Sequence, residues 1–363
     1  MTIALPEARR SAIKGYSGVV LCSVAEIQSL QPLVRRSLPQ IDNLVDPEFA
    51  LASVSKGWLP RVAAVWHGSE FAGLVIAKER VLRGPRLGVV YADLTFGCTL
   101  LGDPLERQDA FLSALETLLA HPGTRGLRLR VPPHSPELAA VRELLSYGSL
   151  DVHFSRVKDH AALSLPGTYE QLLLSLGSTT RHNFRYYRRR FEAAGHVFLD
   201  SVPLDELRSA ALYLEPKCSK PCGRDSTDRL FKMAASADRP LAVGLKHRNG
   251  QWLSVICGVY RPAAGVLLLQ LNNDREFPRD SLSVVLRGYL MESLIRQRMK
   301  EFIIWAGTAP PLSRYVTYIP TVGVYLDSPE YKWRLARGVV SKVGPWLPRW
   351  LQLDARWIAP FSR

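Results

Sequence analysis

The stretch VLLLQLNND at 266–274 is apolar almost without a break until it ends in two amides and an acid. A run that short and that uninterrupted predicts a buried strand at the centre of a sheet. Its neighbours fix the local architecture. Upstream, LAVGLKHR (241–248) and QWLSVICGVYR (251–261) flank Asn249-Gly250, a dipeptide that favours the positive φ angles of a tight hairpin. Downstream, the loop REFPRD leads into a long helical pattern at 281–298, and FIIWAG at 302–307 reads as the next strand. Hairpin, central strand, helix and strand in succession imply a mixed α/β sheet.

The first half shows the same scheme. RVAAVWH (61–67) and FAGLVIAKE (71–79) flank Gly68-Ser69-Glu70, a hairpin signal, and RLGVVYADLTF (86–96) follows as a strand. A helix over 104–120, the strand LRLRV at 127–131 and a helix over 135–147 complete it. At 363 residues the chain has room for two domains of ordinary size. The boundary is expected near 150–166, giving domains at 15–160 and 161–340, followed by a Trp/Arg-rich tail at 341–363.

Between the halves lies SLGSTTRHNFRYYRRRFEAAGH (175–196), a basic amphipathic helix. Arg181, Arg185 and Arg188 or Arg189 share one face, Phe184, Tyr187 and Phe191 pack along a neighbouring one, Ser178 or Thr179 caps the start and Gly195 ends it. On this reading Arg181, Arg185, Tyr187 and Arg188 are candidates for binding an anionic substrate; a solvated charged face is the competing reading. The whole chain carries +14 net charge, which favours a phosphate-bearing cofactor, RNA or an acidic membrane as partner. The five cysteines are odd in number and scattered, as in a protein of a reducing compartment. Cys218 and Cys222 have no complementary Cys/His pair for zinc, so no metal site is expected. The opening residues lack a run of signal-peptide length and no stretch approaches the roughly 20 apolar residues of a membrane span, so a cytoplasmic location is expected.

On these features the chain resembles the GNAT superfamily of acyltransferases, and within it the tandem-GNAT group with the CelD-like (BioF2-like) acetyltransferase domain, related to the Fem-type aminoacyl transferases. Residues 166–335 carry the likeness, through the basic helix and the strand-loop-helix-strand unit; the first half resembles a degenerate copy. The resemblance implies two GNAT-like domains in tandem, each an α+β mixed sheet, the second opened at its middle around an acyl donor. It implies acetyl-CoA or another acyl-CoA as donor, with its pyrophosphate at the loop before the long helix, where Arg275, Arg279 and Ser281 stand beside Leu271, Asn272 and Asn273. Leu282 occupies the position of the loop glycine in CelD-like sequences, and Asp280 with Ser281 is expected to cap the helix. Tyr331-Lys332 matches a dipeptide found late in those sequences, which brings Lys332 to the donor phosphates. Fem-type relatives use aminoacyl-tRNA, the alternative donor, which suits the missing glycine and the positive charge.

Acyl transfer to an amine or hydroxyl needs a base for the acceptor proton, donors for the developing oxyanion and an acid for the leaving group. The candidates are Asp274 and Glu276 beyond the central strand, Tyr315 and Tyr318 after FIIWAG, and Asp93 at the corresponding strand end of the first half. The eight histidines form no Ser-His-Asp arrangement or metal pair, and His182 and His196 read as surface groups. A second class of function is suggested by the tail, where Trp346, Trp350 and Trp357 alternate with Arg349, Arg356 and Arg363 in the manner of a peripheral membrane contact, on an enzyme or a noncatalytic binding protein.

Overall fold

A computed structural model describes residues 15–37, 46–81, 86–94, 98–146, 151–219, 221–261, 265–277, 280–304 and 312–327. The chain divides into two units, the first comprising residues up to Val157 together with those from Pro320 onward, the second Lys158–Ile319.

The first unit begins with β1 (Tyr16–Leu21), α1 (Val24–Ser29), α2 (Gln31–Ser37) and α3 (Pro47–Ser53). The helical pattern at 25–36 is thus two helices, broken where Pro32 removes a backbone donor. β2 (Trp58–His67) and β3 (Glu70–Val81) form the expected hairpin, with Gly68 at φ +59. β4 (Arg86–Asp93), β5 (Cys98–Leu100), α4 (Pro104–Ala120), β6 (Gly126–Val131) and α5 (Pro136–Ser146) follow. Helix α4 begins in a full capping box: Asp103 accepts from the amides of Leu105 and Glu106, and Glu106 bonds back to the Asp103 amide. The last strand of this sheet is β13 (Thr317–Asp327), antiparallel to β6 with Val322↔Val131 and Asp327↔Gly126. Strand order is β1-β2-β3-β4-β6-β13, with β5 on β3. Alternation along the strands makes two cores: Ala63, Val65, Val75 and Ala77 meet α4 and α5, while Val62, Ala64, Leu74 and Ile76 meet α1 to α3. The pair Arg61–Glu79 is buried within the same sheet, with side chains 3% and 5% exposed.

The second unit takes the later part of β7 (Asp151–Ser164), a strand at the place expected to be a boundary. Then come α6 (Tyr169–Ser175), α7 (Ser178–Ala193), β8 (Val197–Leu199), α8 (Leu204–Leu214), a 3₁₀ turn at Glu215–Lys217, α9 (Arg224–Ala235), β9 (Pro240–Lys246), β10 (Trp252–Arg261), β11 (Gly265–Asn273), α10 (Leu282–Arg296) and β12 (Glu301–Ile304). Strand order is β8-β9-β10-β11-β12-β7, and β11 and β12 are the parallel pair bridged by α10. This repeats the order of the first unit, where β4 and β6 are the parallel pair bridged by α4. Helices α6, α7 and α10 pack on one face around Phe184, Phe191, Leu286 and Leu290; α8 and α9 cover β9 to β11 on the other. The second domain was expected to run to 340, but from Pro320 the chain belongs to the first unit, because Val322–Asp327 hydrogen-bonds to β6. Arg279, Lys332 and the tail at 341–363 lie outside the described residues.

Candidate active site

The run at 265–273 forms the predicted central strand, and its ladder contains an irregularity that the sequence did not announce. Cys257 pairs with Gln270 but the next residue, Gly258, pairs with Leu268, so Leu269 is an extra residue in β11. Such a bulge bends the strand and removes one backbone unit from the ladder. A side chain at 258 would meet the Leu267 carbonyl oxygen at 2.4 Å, so glycine admits this close approach. Among the described residues the parallel ladder to β12 runs from Gly265↔Glu301 to Leu268↔Ile304, next to the Leu269 bulge.

Beyond β11 the chain turns into α10. Ser281, the residue before that helix, has φ +44 and ψ +48, the left-handed region that favours glycine. The position that needs a glycine-like backbone is therefore 281 itself, and Leu282 is an ordinary buried helical residue. No side chain caps α10 and its first turn carries no acid. The expected cap by Asp280 and Ser281 is not formed, because the Asp280 carboxylate pairs with Arg190 of α7 at 3.1 Å. An uncapped helix start, at the end of a central strand, leaves amide donors and the positive end of the helix dipole available to an anion.

On the α8 side, the strand end is clamped by Lys217, a residue the sequence reading passed over. Its ammonium lies 3.2 Å from Asp274 Oδ2, 3.3 Å from Glu276 Oε2 and 4.7 Å from the ring centroid of Tyr213. Tyr213 and then Asp274 hold the ammonium well above its usual range. Asp274 is fully enclosed, and its other oxygen accepts from the Glu276 amide at 2.9 Å. The Glu276 carboxylate is 64% exposed. Of these two catalytic candidates, then, Asp274 is committed to internal bonds and Glu276 faces solvent.

The cofactor candidates separate by side chain. Asn272 is buried and donates to the Ala211 carbonyl of α8 at 3.5 Å; Asn273 accepts from Ser254; Leu271 packs with the α6/α7/α10 core. These side chains belong to the scaffold. Arg275 is exposed, and its backbone amide donates to the Lys217 carbonyl at 3.2 Å.

The basic helix forms as predicted and ends at Gly195, φ +74, but its charge is largely matched. Arg185 pairs with Glu170, Arg188 with Glu192 at 3.0 Å and Glu292 at 2.6 Å, and Arg190 with Asp280. Burial opposes the charge on Arg188, and its bonds to the two carboxylates outweigh that and raise its pKa. Arg181 has no ion-pair partner among the described residues, and Tyr187 packs against the core. Arg185 and Arg188 line an open depression of about 520 Å³ with Tyr169, Glu170 and Glu192, a mixed-charge surface in place of the expected cationic one. Neither Ser178 nor Thr179 caps α7. Instead the Gly177 amide donates to the Tyr315 hydroxyl at 2.9 Å, and a side chain at 177 would lie 2.8 Å from that oxygen. A bond to Thr180, then the one from Gly177, lowers the Tyr315 pKa. Tyr315 thus closes the start of α7, and Tyr318 is an exposed residue of β13. Asp93 belongs to the first unit, 3.8 Å from Arg130 and 3.5 Å from the Tyr91 hydroxyl.

No protein-family profile and no curated protein sequence matches the chain. Solved structures do. FemX aligns with a TM-score of 0.57 at 11% identity, over 83% of this chain and 95% of that one. A conserved protein of unknown function from Bacteroides thetaiotaomicron gives 0.53 at 10% identity, over 84% and 97%. The C-terminal domain of a putative lysylphosphatidylglycerol synthetase from Agrobacterium fabrum gives 0.52 at 11% identity, over 88% and 98%. At such identities the likeness establishes the fold alone, the mixed α/β fold that these three structures share with the chain. No described helix is long and apolar enough to cross a membrane.

Proposed function

We propose that the chain is an acyltransferase with two GNAT-like domains in tandem, the second of which moves an acyl group from acyl-CoA to an amine or hydroxyl acceptor. The observation that carries this reading is the Leu269 bulge in β11 together with the uncapped, acid-free start of α10 beyond that strand. Backbone amides at 281–283 and the exposed Arg275 would hold the carrier's phosphates, and the carrier would supply an activated carbonyl. Glu276 is the exposed carboxylate that takes the acceptor's proton; Lys217, anchored by buried Asp274, positions it. The exposed Glu276 carboxylate favours a cationic amine as acceptor.

A second reading, aminoacyl-tRNA as donor, is favoured by Ser281 standing where glycine would let a pyrophosphate approach most closely, and by the +14 charge. The likeness to FemX and to a lysylphosphatidylglycerol synthetase domain supports it as well. Peripheral membrane contact through the Trp/Arg tail is compatible with either donor. A thermal-shift comparison of coenzyme A, acetyl-CoA and charged tRNA on the whole chain decides between them. Stabilisation by the coenzyme A compounds, lost on replacing Arg275 and Arg279 by alanine, is the expected result. Stabilisation by charged tRNA alone would establish the second reading, and no shift with any of them would leave a noncatalytic protein on this fold.

A further inference from the structure

His196 follows α7 and His247 follows β9, yet their rings stand 4.5 Å apart at a 40° tilt, and the His247 ring lies 6.0 Å from Phe277 in the loop before α10. Each Nδ1 is already an acceptor: the Arg248 amide donates to His196 and the Asn249 amide to His247, both at 3.3 Å. Both neutral rings therefore carry their proton on Nε2. Protonating either ring puts an N–H against a backbone N–H, so the ring must turn away from the hairpin and present its charge elsewhere. The two rings are 4.5 Å apart, so charge on one opposes charge on the other.

The charged groups acting on His196 are Asp280 and Arg248. Arg190 and Asp280 neutralise one another, Glu192 is held by Arg188 and by the Tyr289 hydroxyl at 2.7 Å, and Arg248 is exposed. Tyr289, whose pKa burial pushes up to about 12, stays neutral throughout.

We propose that His196 and His247 form a proton-gated clamp for a phosphate group of the ligand carried at the start of α10. Burial, and then His247, hold His196 below its ordinary pKa, so that ring is neutral at pH 8 and takes its charge only in mild acid. An anion seated on it raises that pKa, so by linkage the anion binds more tightly as pH falls. The inference rests on the donor site proposed above, but its ligand chemistry is phosphate, whether from a nucleotide carrier or from RNA.

The test is equilibrium binding of inorganic pyrophosphate, coenzyme A and uncharged tRNA to the whole chain at pH 8, 7 and 6, for the wild type and the variant H196Q/H247Q. Dividing wild-type by variant affinity at each pH removes the ligand's own titration. For pyrophosphate that ratio is expected to be near one at pH 8 and to rise severalfold by pH 6, toward the roughly tenfold limit set by a shift of one pKa unit. The single variants H196Q and H247Q should each retain part of the slope, and imidazole NMR should show both wild-type rings as Nε2–H tautomers at pH 8. A ratio that stays flat, or pyrophosphate that binds at no pH, overturns the clamp. Coenzyme A binding with a flat ratio overturns the clamp and leaves the donor reading standing. A pH-dependent ratio for pyrophosphate without any binding of coenzyme A or tRNA supports the clamp and removes the donor reading. A slope with pyrophosphate and with tRNA, without binding of coenzyme A, supports the clamp and assigns its phosphate to RNA.

Discussion

The two units share a strand order and differ where their parallel strands meet. In the first, β4 and β6 stay paired from Val89↔Gly126 to Asp93↔Arg130, and the Leu94 amide adds a bond to the Arg130 carbonyl. Asp103 and Glu106 then occupy the first amides of α4 with carboxylate oxygens. In the second, β11 carries the Leu269 bulge, and α10 starts without cap or acid. An anion is repelled at the first helix start and attracted at the second. The same architecture thus yields a regular seam with a capped helix and an irregular one with an uncapped helix. The difference comes down to one extra strand residue and two carboxylates.

The comparison breaks most easily at the buried pair of the first unit. Glu79→Ala leaves Arg61 enclosed without its carboxylate and should cost about 3–5 kcal/mol in denaturant unfolding. Donor affinity of the folded fraction should be unchanged; a change in affinity at intact stability would mean that the first unit shapes the site. In the second unit, Lys217→Met should lower turnover by roughly a hundredfold, the scale of general acid–base assistance, with donor affinity held within about twofold. Equal loss of affinity would place Lys217 among the donor contacts.

Ser283→Asp separates the two roles of a helix start. A carboxylate in the first turn of α10 complements the helix dipole and should stabilise the fold by about 0.3–1 kcal/mol, while weakening donor binding by about tenfold or more. Calorimetric melting and a binding titration on one sample read both signs, and a gain in affinity would contradict the site. Asp103→Ala, at the corresponding place in the first unit, should cost about 1 kcal/mol and leave the donor untouched. The smallest effect is that of pH on folding. Since the folded chain holds the His196 pKa down, the unfolded chain takes its proton first, near pH 6.5. Stability should be fully present above that pH and fall as the pH drops through it; H196N should flatten the slope, and a wild-type slope of opposite sign would refute the buried neutral ring.

Much of the scaffold was legible because its signals are local. The bounds of α4 at 104–120 follow from Pro104 and its capping residues, and both hairpins follow from Gly68 and Asn249-Gly250. The candidate site was legible as a segment, 271–281, but not in its working parts. The Leu269 bulge lies within LLLQL, a run without glycine or proline to mark it. Lys217 and Asp274 are 57 positions apart, as Arg188 and Glu292 are 104 apart, so neither the clamp nor the neutralised helix could be read from spacing. The His196–His247 pair joins two turns that look like ordinary surface in sequence. Strand β13 escaped for a similar reason: its pairing partner, β6, lies far upstream, and Pro320 interrupts its pattern.

The central claim is that an anionic acyl carrier is held at the α10 seam and nowhere at the α4 seam. Hydrogen exchange of the whole chain, with saturating coenzyme A and separately with charged tRNA, tests it most directly. The account predicts slowed exchange in peptides covering 269–284 with at least one of the two, and unchanged exchange over 89–107. Slowed exchange over 89–107, or none at 269–284 with either carrier, would contradict it.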